Sequence, residues 1–81
     1  MKVTVKFFSL YREIAGTDRL TLDLSEDATV EEAIRLLAKP LKGPVIEIDQ
    51  TVLMVNQNRA TPETKLKEGD EILLFYLLGG G

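Results

Sequence analysis

The 81-residue sequence contains no cysteine and no histidine. Without cysteine the chain has no disulfide, thiolate nucleophile or thiolate metal site, and without histidine it lacks the commonest general base and the commonest metal ligand. No apolar run approaches the ~18 residues that a membrane span requires, and Met1 and Lys2 lead into alternating residues rather than a secretory signal. We therefore expect a cytoplasmic protein with little catalytic equipment of its own and no metal site.

The overall composition is that of one small globular domain. Hydrophobic residues make up 44% and charged residues 28% of the chain, and the net charge is −3. A negative balance argues against nucleic acid as a partner, because binding to a phosphate backbone is built on clustered Lys and Arg. We expect one compact core and neither nucleic acid nor a membrane as partner.

Hydrophobic patterning predicts four strands. Large apolar residues alternate with polar ones at 2–8 and 20–24, which is the period of a half-buried strand. The apolar run that follows Glu71 predicts the last strand, which ends at Leu77 or Leu78. The continuous apolar run at 52–55 is typical of an internal strand and leads into the polar turn at 56–58. We expect the first two strands to form an antiparallel ribbon.

Two helices are expected between these strands. Ser9 is a candidate cap for a short helix that ends at Gly16, a residue able to take the left-handed conformation. Thr29 and Glu32 have the spacing of a capping box, so the main helix begins there and ends near Lys39, before a proline. The segment 41–50 is interpreted as a connection with one irregular turn.

The order of these elements predicts an α+β domain with a mixed sheet of about four to five strands packed on one main helix. The first and last strands are expected to lie side by side. That arrangement is the β-grasp, or ubiquitin-like, fold. We assign residues 1–78 to this domain and 79–81 to a flexible glycine tail.

The thirteen carboxylates are one possible source of chemistry, as acid–base pairs or as metal ligands. The adjacent acidic pairs, however, fall at turns or at the start of the main helix, where negative charge is favoured by the helix dipole. We interpret them as structural. Asn56, Gln57 and Arg59 are a possible pocket lining, but a polar turn between strands is the favoured interpretation.

Two phenylalanines point to a binding surface. A strand buries alternate side chains, so Phe8 falls opposite the apolar face of the first strand and Phe75 lies in the last strand. If those strands are neighbours, both rings share the outer face and form an apolar patch of the kind that marks a protein interface. The alternative is that a loop covers them.

The sequence ends in Gly79, Gly80 and Gly81. Three terminal glycines can be a frayed end, but these follow closely on a strand, so the carboxylate of Gly81 sits on an arm whose base is held. Six residues from Tyr76 to Gly81 reach up to ~20 Å when extended. Because glycine has no Cβ, the arm could enter a narrow channel and present its carboxylate in another protein's active site.

The sequence resembles the small subunit of molybdopterin synthase, a ubiquitin-like sulfur carrier, over essentially its whole length. The stretches that carry the resemblance are Lys6-Phe7-Phe8, Arg12-Glu13, Gly16-Thr17-Asp18, Val55-Asn56-Gln57, Leu66, Gly69-Asp70-Glu71 and Gly80-Gly81. One difference is that Tyr76 and Leu77 stand where the family commonly has a proline pair.

The resemblance implies a carrier mechanism. A ubiquitin-activating-like adenylyltransferase uses ATP to adenylate Gly81, and a sulfur donor then converts the acyl-adenylate to a thiocarboxylate. The carrier docks on the large subunit, in an expected heterotetramer, and delivers sulfur for the dithiolene of molybdopterin. Gly80 allows passage through the channel, and the carrier holds no permanent cofactor. The implied partner contacts are Phe8, Phe75, Leu77, Leu78 and Gly79.

Other functions are compatible with a β-grasp carrier that ends in glycine. One is sulfur supply for tungstopterin, for tRNA thiolation or for thiamine synthesis. Another is covalent attachment to lysines as a ubiquitin-like protein modifier. A third is a plain interaction domain with an inert tail.

Overall fold

The computed structural model describes residues 1–41 and 46–77. In chain order the elements are β1 (Lys2–Phe7), α1 (Leu10–Ala15), β2 (Arg19–Asp23), α2 (Val30–Leu36), a 3₁₀ helix (Ile48–Gln50), β3 (Thr51–Val55), β4 (Asn58–Arg59) and β5 (Glu71–Tyr76). No helix within the described ranges is long and apolar enough to span a membrane.

The strands form one mixed sheet in the order β2-β1-β5-β3-β4. The central strands β1 and β5 are parallel, with Val5 beside Ile72, and the remaining pairs are antiparallel. The predicted neighbourhood of the first and last strands and the predicted antiparallel ribbon of the first two strands are both confirmed.

The core lies between the sheet and α2. One face of β1 and β5 and one face of α2 join in a single buried cluster, which also contains Leu66 from the polar segment before β5. Val5, Val30, Ala33, Ile72 and Leu74 are completely buried. Each large apolar side chain removed from water in this way stabilises the fold by roughly 1.5–3 kcal/mol. The arrangement is the predicted sheet packed on one main helix.

The start of α2 confirms half of the predicted capping box. The Thr29 hydroxyl accepts a hydrogen bond from the Glu32 backbone N–H at 3.3 Å. The Glu32 carboxylate, however, accepts from the Thr29 hydroxyl at 3.4 Å rather than from the Thr29 backbone. The helix ends at Leu36, three residues before the predicted end at Lys39.

The short helix α1 differs from the prediction at its start. Ser9 has φ 53° and ψ −130°, and its side chain makes no capping hydrogen bond. The predicted Ser9 cap is therefore wrong: the positive φ of Ser9 departs from the extended conformation that a capping residue normally has. The helix ends as predicted, with Gly16 at φ 73° and its N–H bonded to the Arg12 carbonyl at 3.0 Å.

Strand β4 brings the sheet to five strands, within the predicted four to five, but its position was not predicted from the sequence. Asn56, at φ 57°, and Gln57 form a two-residue hairpin loop, and Asn58 and Arg59 pair with Val55 and Met54. Two polar residues are too short a segment to show the strand period. The irregular turn expected within 41–50 corresponds to the 3₁₀ helix Ile48–Gln50.

Candidate docking face and carboxyl-terminal exit

Phe8 and Phe75 stack on the outer face of the sheet. Their ring centroids are 4.4 Å apart and the planes are inclined by 12°. The stack follows from the β1–β5 register, in which Phe7 lies beside Leu74 and the Phe8 N–H donates to the Leu74 carbonyl at 3.1 Å. Since Phe7 and Leu74 are buried in the core, the next residue of each strand must point to the opposite face.

Three more apolar side chains continue this surface. Leu73 lies two positions before Phe75 on β5, and the β3–β5 register places Val52 beside Phe75 and Met54 beside Leu73. Each of these residues is only half-buried. We call this surface the outer patch; its members are Phe8, Val52, Met54, Leu73 and Phe75. Sequence reasoning found the two aromatic members and missed the other three. Leu73 follows from the alternation along β5, whereas the positions of Val52 and Met54 depend on the β3–β5 register.

Basic residues flank the outer patch on both sides. Lys6 shares its face and lies opposite Arg19 of β2, and Arg59 of β4 lies opposite Met54. Lys6 is partly neutralised by the Glu71 carboxylate, 3.3 Å from its Nζ. An apolar centre with a charged rim is the usual anatomy of a protein interface.

The end of β5 is held by aromatic packing. The ring of Tyr76 meets that of Tyr11 edge-on, with centroids 5.4 Å apart and an interplanar angle of 80°. Tyr11 is 1% exposed, and its hydroxyl lies 2.6 Å from the Thr51 hydroxyl and 3.3 Å from the Glu47 backbone N–H. Sequence reasoning missed Tyr11, because these contacts join residues 36 and 40 positions apart.

One further bond holds the chain after β5. The Leu77 backbone N–H donates to the Gln50 carbonyl at 2.8 Å, while the Leu77 side chain is 42% exposed. The backbone is therefore held as far as Leu77, two residues before the predicted tail, and the Leu77 side chain is open to a partner. The other predicted site residues, Leu78, Gly79, Gly80 and Gly81, lie outside the described residues.

The polar turn at Asn56 lies at the other end of β5 and is structural. The Asn56 side chain donates to the Asp70 carboxylate at 3.1 Å and accepts from the Glu71 backbone N–H at 3.0 Å. Asp70 also accepts from the Lys67 backbone N–H at 2.8 Å, within the turn before β5. Among residues 1–41 and 46–77, no three carboxylates come together in an arrangement that could hold a metal ion.

Comparison with known proteins connects this geometry to a family. A family model described as the ThiS family matches residues 5–81. The chain belongs to the ThiS family. The match takes in the whole of the outer patch and the glycines that follow β5.

Curated relatives of this ThiS-family chain are sulfur carriers by name. It is 32% identical over 85 residues to the molybdopterin synthase sulfur carrier subunit of Chlamydomonas reinhardtii, covering 100% of both chains. It is 33% identical over 82 residues to the subunit of the same name from Haemophilus influenzae, covering 98% of this chain and 99% of that one. The resemblance to this family that the sequence motifs indicated is confirmed.

A solved structure confirms the fold. SAMP1 of Haloferax volcanii, the small archaeal modifier protein 1, superposes with a TM-score of 0.82 at 27% identity and covers 100% of both chains. The α+β, ubiquitin-like β-grasp prediction for this ThiS-family chain is therefore correct.

Proposed function

We propose that this chain is the sulfur carrier subunit of a molybdopterin synthase, or of the equivalent enzyme for tungstopterin, and that Gly81 carries the sulfur. The observation that carries the proposal is the end-to-end match to two curated carrier subunits, together with the family match through Gly81. The contacts that hold the chain at Tyr76 and Leu77, two residues before the first of the three glycines, support it.

The proposed chemistry explains why a chain without cysteine or histidine is sufficient. A carboxylate is a poor electrophile, so on a separate adenylyltransferase the Gly81 carboxylate attacks the α-phosphate of ATP and releases pyrophosphate. A sulfide-level sulfur from the donor system then replaces AMP and leaves a thiocarboxylate. The resulting soft nucleophile transfers its sulfur to cyclic pyranopterin monophosphate, and water restores the Gly81 carboxylate when the carbon–sulfur bond breaks. ATP is consumed on the partner enzyme.

The body of the chain supplies docking and presentation in this proposal. The outer patch, anchored by Phe8 and Phe75, binds the large synthase subunit and the adenylyltransferase in turn. Leu77, with Leu78 and Gly79, follows the surface of the partner, and Gly80 passes through its channel. Aromatic side chains, phenylalanine included, are enriched at the centres of protein interfaces.

Reconstitution with a molybdopterin synthase large subunit and the pterin precursor tests this function. The thiocarboxylated chain is compared with the same chain lacking Gly81, and product formation is measured. We expect product only from the intact chain. Equal product from both chains would exclude Gly81 as the point of sulfur attachment.

A second candidate function is covalent modification of other proteins. It is supported by the similarity to the small archaeal modifier protein 1 over the full length of both chains. In that function the activated Gly81 acylates a lysine amine of a target and forms an isopeptide bond. Conjugates that contain a Gly81–lysine linkage, found in cells and lost when Gly81 is deleted, would establish it.

A further inference from the structure

Strand β2 forms one edge of the sheet, and half of its backbone groups point away from β1. Met1 and Leu24 exchange backbone hydrogen bonds at 2.6 and 2.7 Å. Hydrogen-bonded pairs alternate along an antiparallel ladder. The backbones of Leu20 and Leu22 therefore bond to β1, and those of Arg19, Thr21 and Asp23 face outward. In the described part of the chain, the outward groups of Thr21 and Asp23 bond to no other residue.

We propose that this edge pairs with β2 of a second copy of the chain and forms a symmetric dimer. The two strands run antiparallel about a two-fold axis at Thr21. In this register each Arg19 lies opposite Asp23 of the other copy, and the two Thr21 residues face each other. All three outward residues of each strand then take part, and six inter-chain backbone hydrogen bonds form.

The charge pattern of β2 selects this register. Within one chain Arg19 lies opposite Lys6, a charge of the same sign, whereas in the dimer it gains the carboxylate of Asp23 as a cross-strand neighbour. Each of the two side chains already has one ion pair within the chain, Arg19 with Asp18 at 3.6 Å and Asp23 with the amino group of Met1 at 3.5 Å. They are nevertheless 60% and 79% exposed, so each can take the cross-strand neighbour as a further partner. A different register, with the two-fold axis at Leu20 or Leu22, would lose both Arg19–Asp23 ion pairs. It would also leave one outward residue of each β2 without a partner on the other β2.

The apolar residues of β2 favour the same pairing. Leu20 and Leu22 lie on the core face but are only half-buried, whereas Val5 and Val3, their neighbours on β1, are at most 1% exposed. The proposed register places Leu20 beside Leu22 of the second copy and covers their open flanks. A cavity of about 310 Å³ lies beside the end of β2, bordered by Leu24 and by Leu36 of α2. The added strand therefore continues the apolar layer under α2.

The two edge strands of the sheet differ in how well they are protected against pairing with another strand. β4, at the far edge, has only two residues, and a short edge strand is one way in which proteins discourage pairing. β2 has five residues and one partial shield, the Thr17 hydroxyl, which donates to the Arg19 carbonyl at 3.2 Å and lies 3.5 Å from the Arg19 N–H. A contact of 3.5 Å is at the limit of hydrogen bonding, so a direct backbone pair replaces it readily.

The dimer is compatible with the proposed function but does not depend on it. β1 separates β2 from β5, so the ring stack of Phe8 and Phe75 and the exit at Leu77 stay open in both copies. The dimer would place two carriers side by side, each able to engage its own partner.

A charge-reversal pair gives the test, with sedimentation equilibrium of the full chain from about 1 μM to about 1 mM as the measurement. We expect the wild type to dimerise with concentration, and Arg19→Glu and Asp23→Arg each to dimerise at least about tenfold more weakly, because like charges then face each other. An equimolar mixture of the two variants should form a heterodimer, since its two cross-strand pairs again have opposite signs. Recovery on mixing also shows that neither variant is misfolded.

A backbone variant tests the hydrogen bonds separately. Thr21→Pro removes an outward N–H without removing a bond to β1, so the fold should survive and the dimer should be lost. Thr21→Val keeps the N–H and should dimerise like the wild type; circular dichroism checks the fold of both. A wild type that stays monomeric throughout this range, variants that stay monomeric when mixed, or a folded Thr21→Pro variant that still dimerises would each overturn the proposal.

Discussion

The ring of Tyr11 meets the ring of Tyr76 edge-on at 5.4 Å and joins the end of β5 to the short helix α1. The Tyr11 hydroxyl extends the contact to Thr51 and to the backbone of Glu47. Together with the Leu77 bond to Gln50, these contacts fix the base of the carboxyl terminus from three segments.

Removal of the Tyr11 hydroxyl should weaken the fold. Tyr11→Phe keeps the buried ring but leaves the Thr51 hydroxyl and the Glu47 N–H without this partner, so we expect a loss of about 1–3 kcal/mol in the free energy of unfolding. Tyr76→Phe is the matched control, because its ring contact persists, and it should cost less than about 0.5 kcal/mol. Urea denaturation measures both. Equal losses in the two variants would contradict the anchoring role of the hydroxyl.

A charge within the outer patch should prevent docking without unfolding the chain. Phe75→Asp places a carboxylate at the centre of the patch, and we expect binding to the large synthase subunit to weaken by more than about 30-fold. Leu36→Asp introduces the same charge at an exposed apolar position on α2, across the sheet from the patch, and should bind normally. Titration calorimetry gives both affinities. Unchanged affinity of a folded Phe75→Asp variant would show that partners dock elsewhere.

The stacking of Phe8 on Phe75 should be measurable as a coupling between the two residues in the free energy of unfolding. Phe8→Ala, Phe75→Ala and the double variant form a mutant cycle, and we expect the two residues to be coupled by about 0.5–1.5 kcal/mol, the usual contribution of a packed aromatic pair. Phe8→Ala combined with Leu36→Ala provides a control cycle across the sheet and should be additive. Strict additivity in the first cycle would mean that the stack does not stabilise the free chain.

Replacement of Asn56 by alanine or by glycine should lower the stability of the fold. Its φ of 57° lies in the left-handed region, which asparagine and glycine adopt more readily than alanine, and its side chain bonds to Asp70 and Glu71. Asn56→Ala loses the two hydrogen bonds and adds backbone strain, for an expected loss of roughly 2–3 kcal/mol. Asn56→Gly loses only the bonds, so it should be about 1 kcal/mol more stable than Asn56→Ala. Thermal unfolding that ranks alanine above glycine would contradict this account.

Local sequence patterns predicted the elements that have a clear period. The alternation of Val3, Val5 and Phe7 placed β1 and its core face correctly, and the spacing of Thr29 and Glu32 located the start of α2. The Phe8–Phe75 contact was predictable because it needed one topological assumption, that the first and last strands are neighbours.

Features that depend on distant contacts were not predictable in the same way. β4 exists because β3 provides an edge for it, and Asn58 and Arg59 carry no strand period of their own. The importance of Tyr11 depends on Thr51 and Tyr76, which are brought close to it only by the folded sheet. The Ser9 cap was wrongly predicted for a similar reason, since the backbone conformation of Ser9 is set by the connection between β1 and α1.

The central claim is that a domain without cysteine or histidine presents Gly81 as the residue that carries the sulfur. Its most direct test is the intact mass of the chain after incubation with ATP, the adenylyltransferase and a sulfur donor, with the modified residue located by fragmentation. We predict a gain equal to the difference between one sulfur and one oxygen atom, confined to Gly81 and absent when ATP is omitted. An unchanged mass, or sulfur at any other residue, would contradict the account.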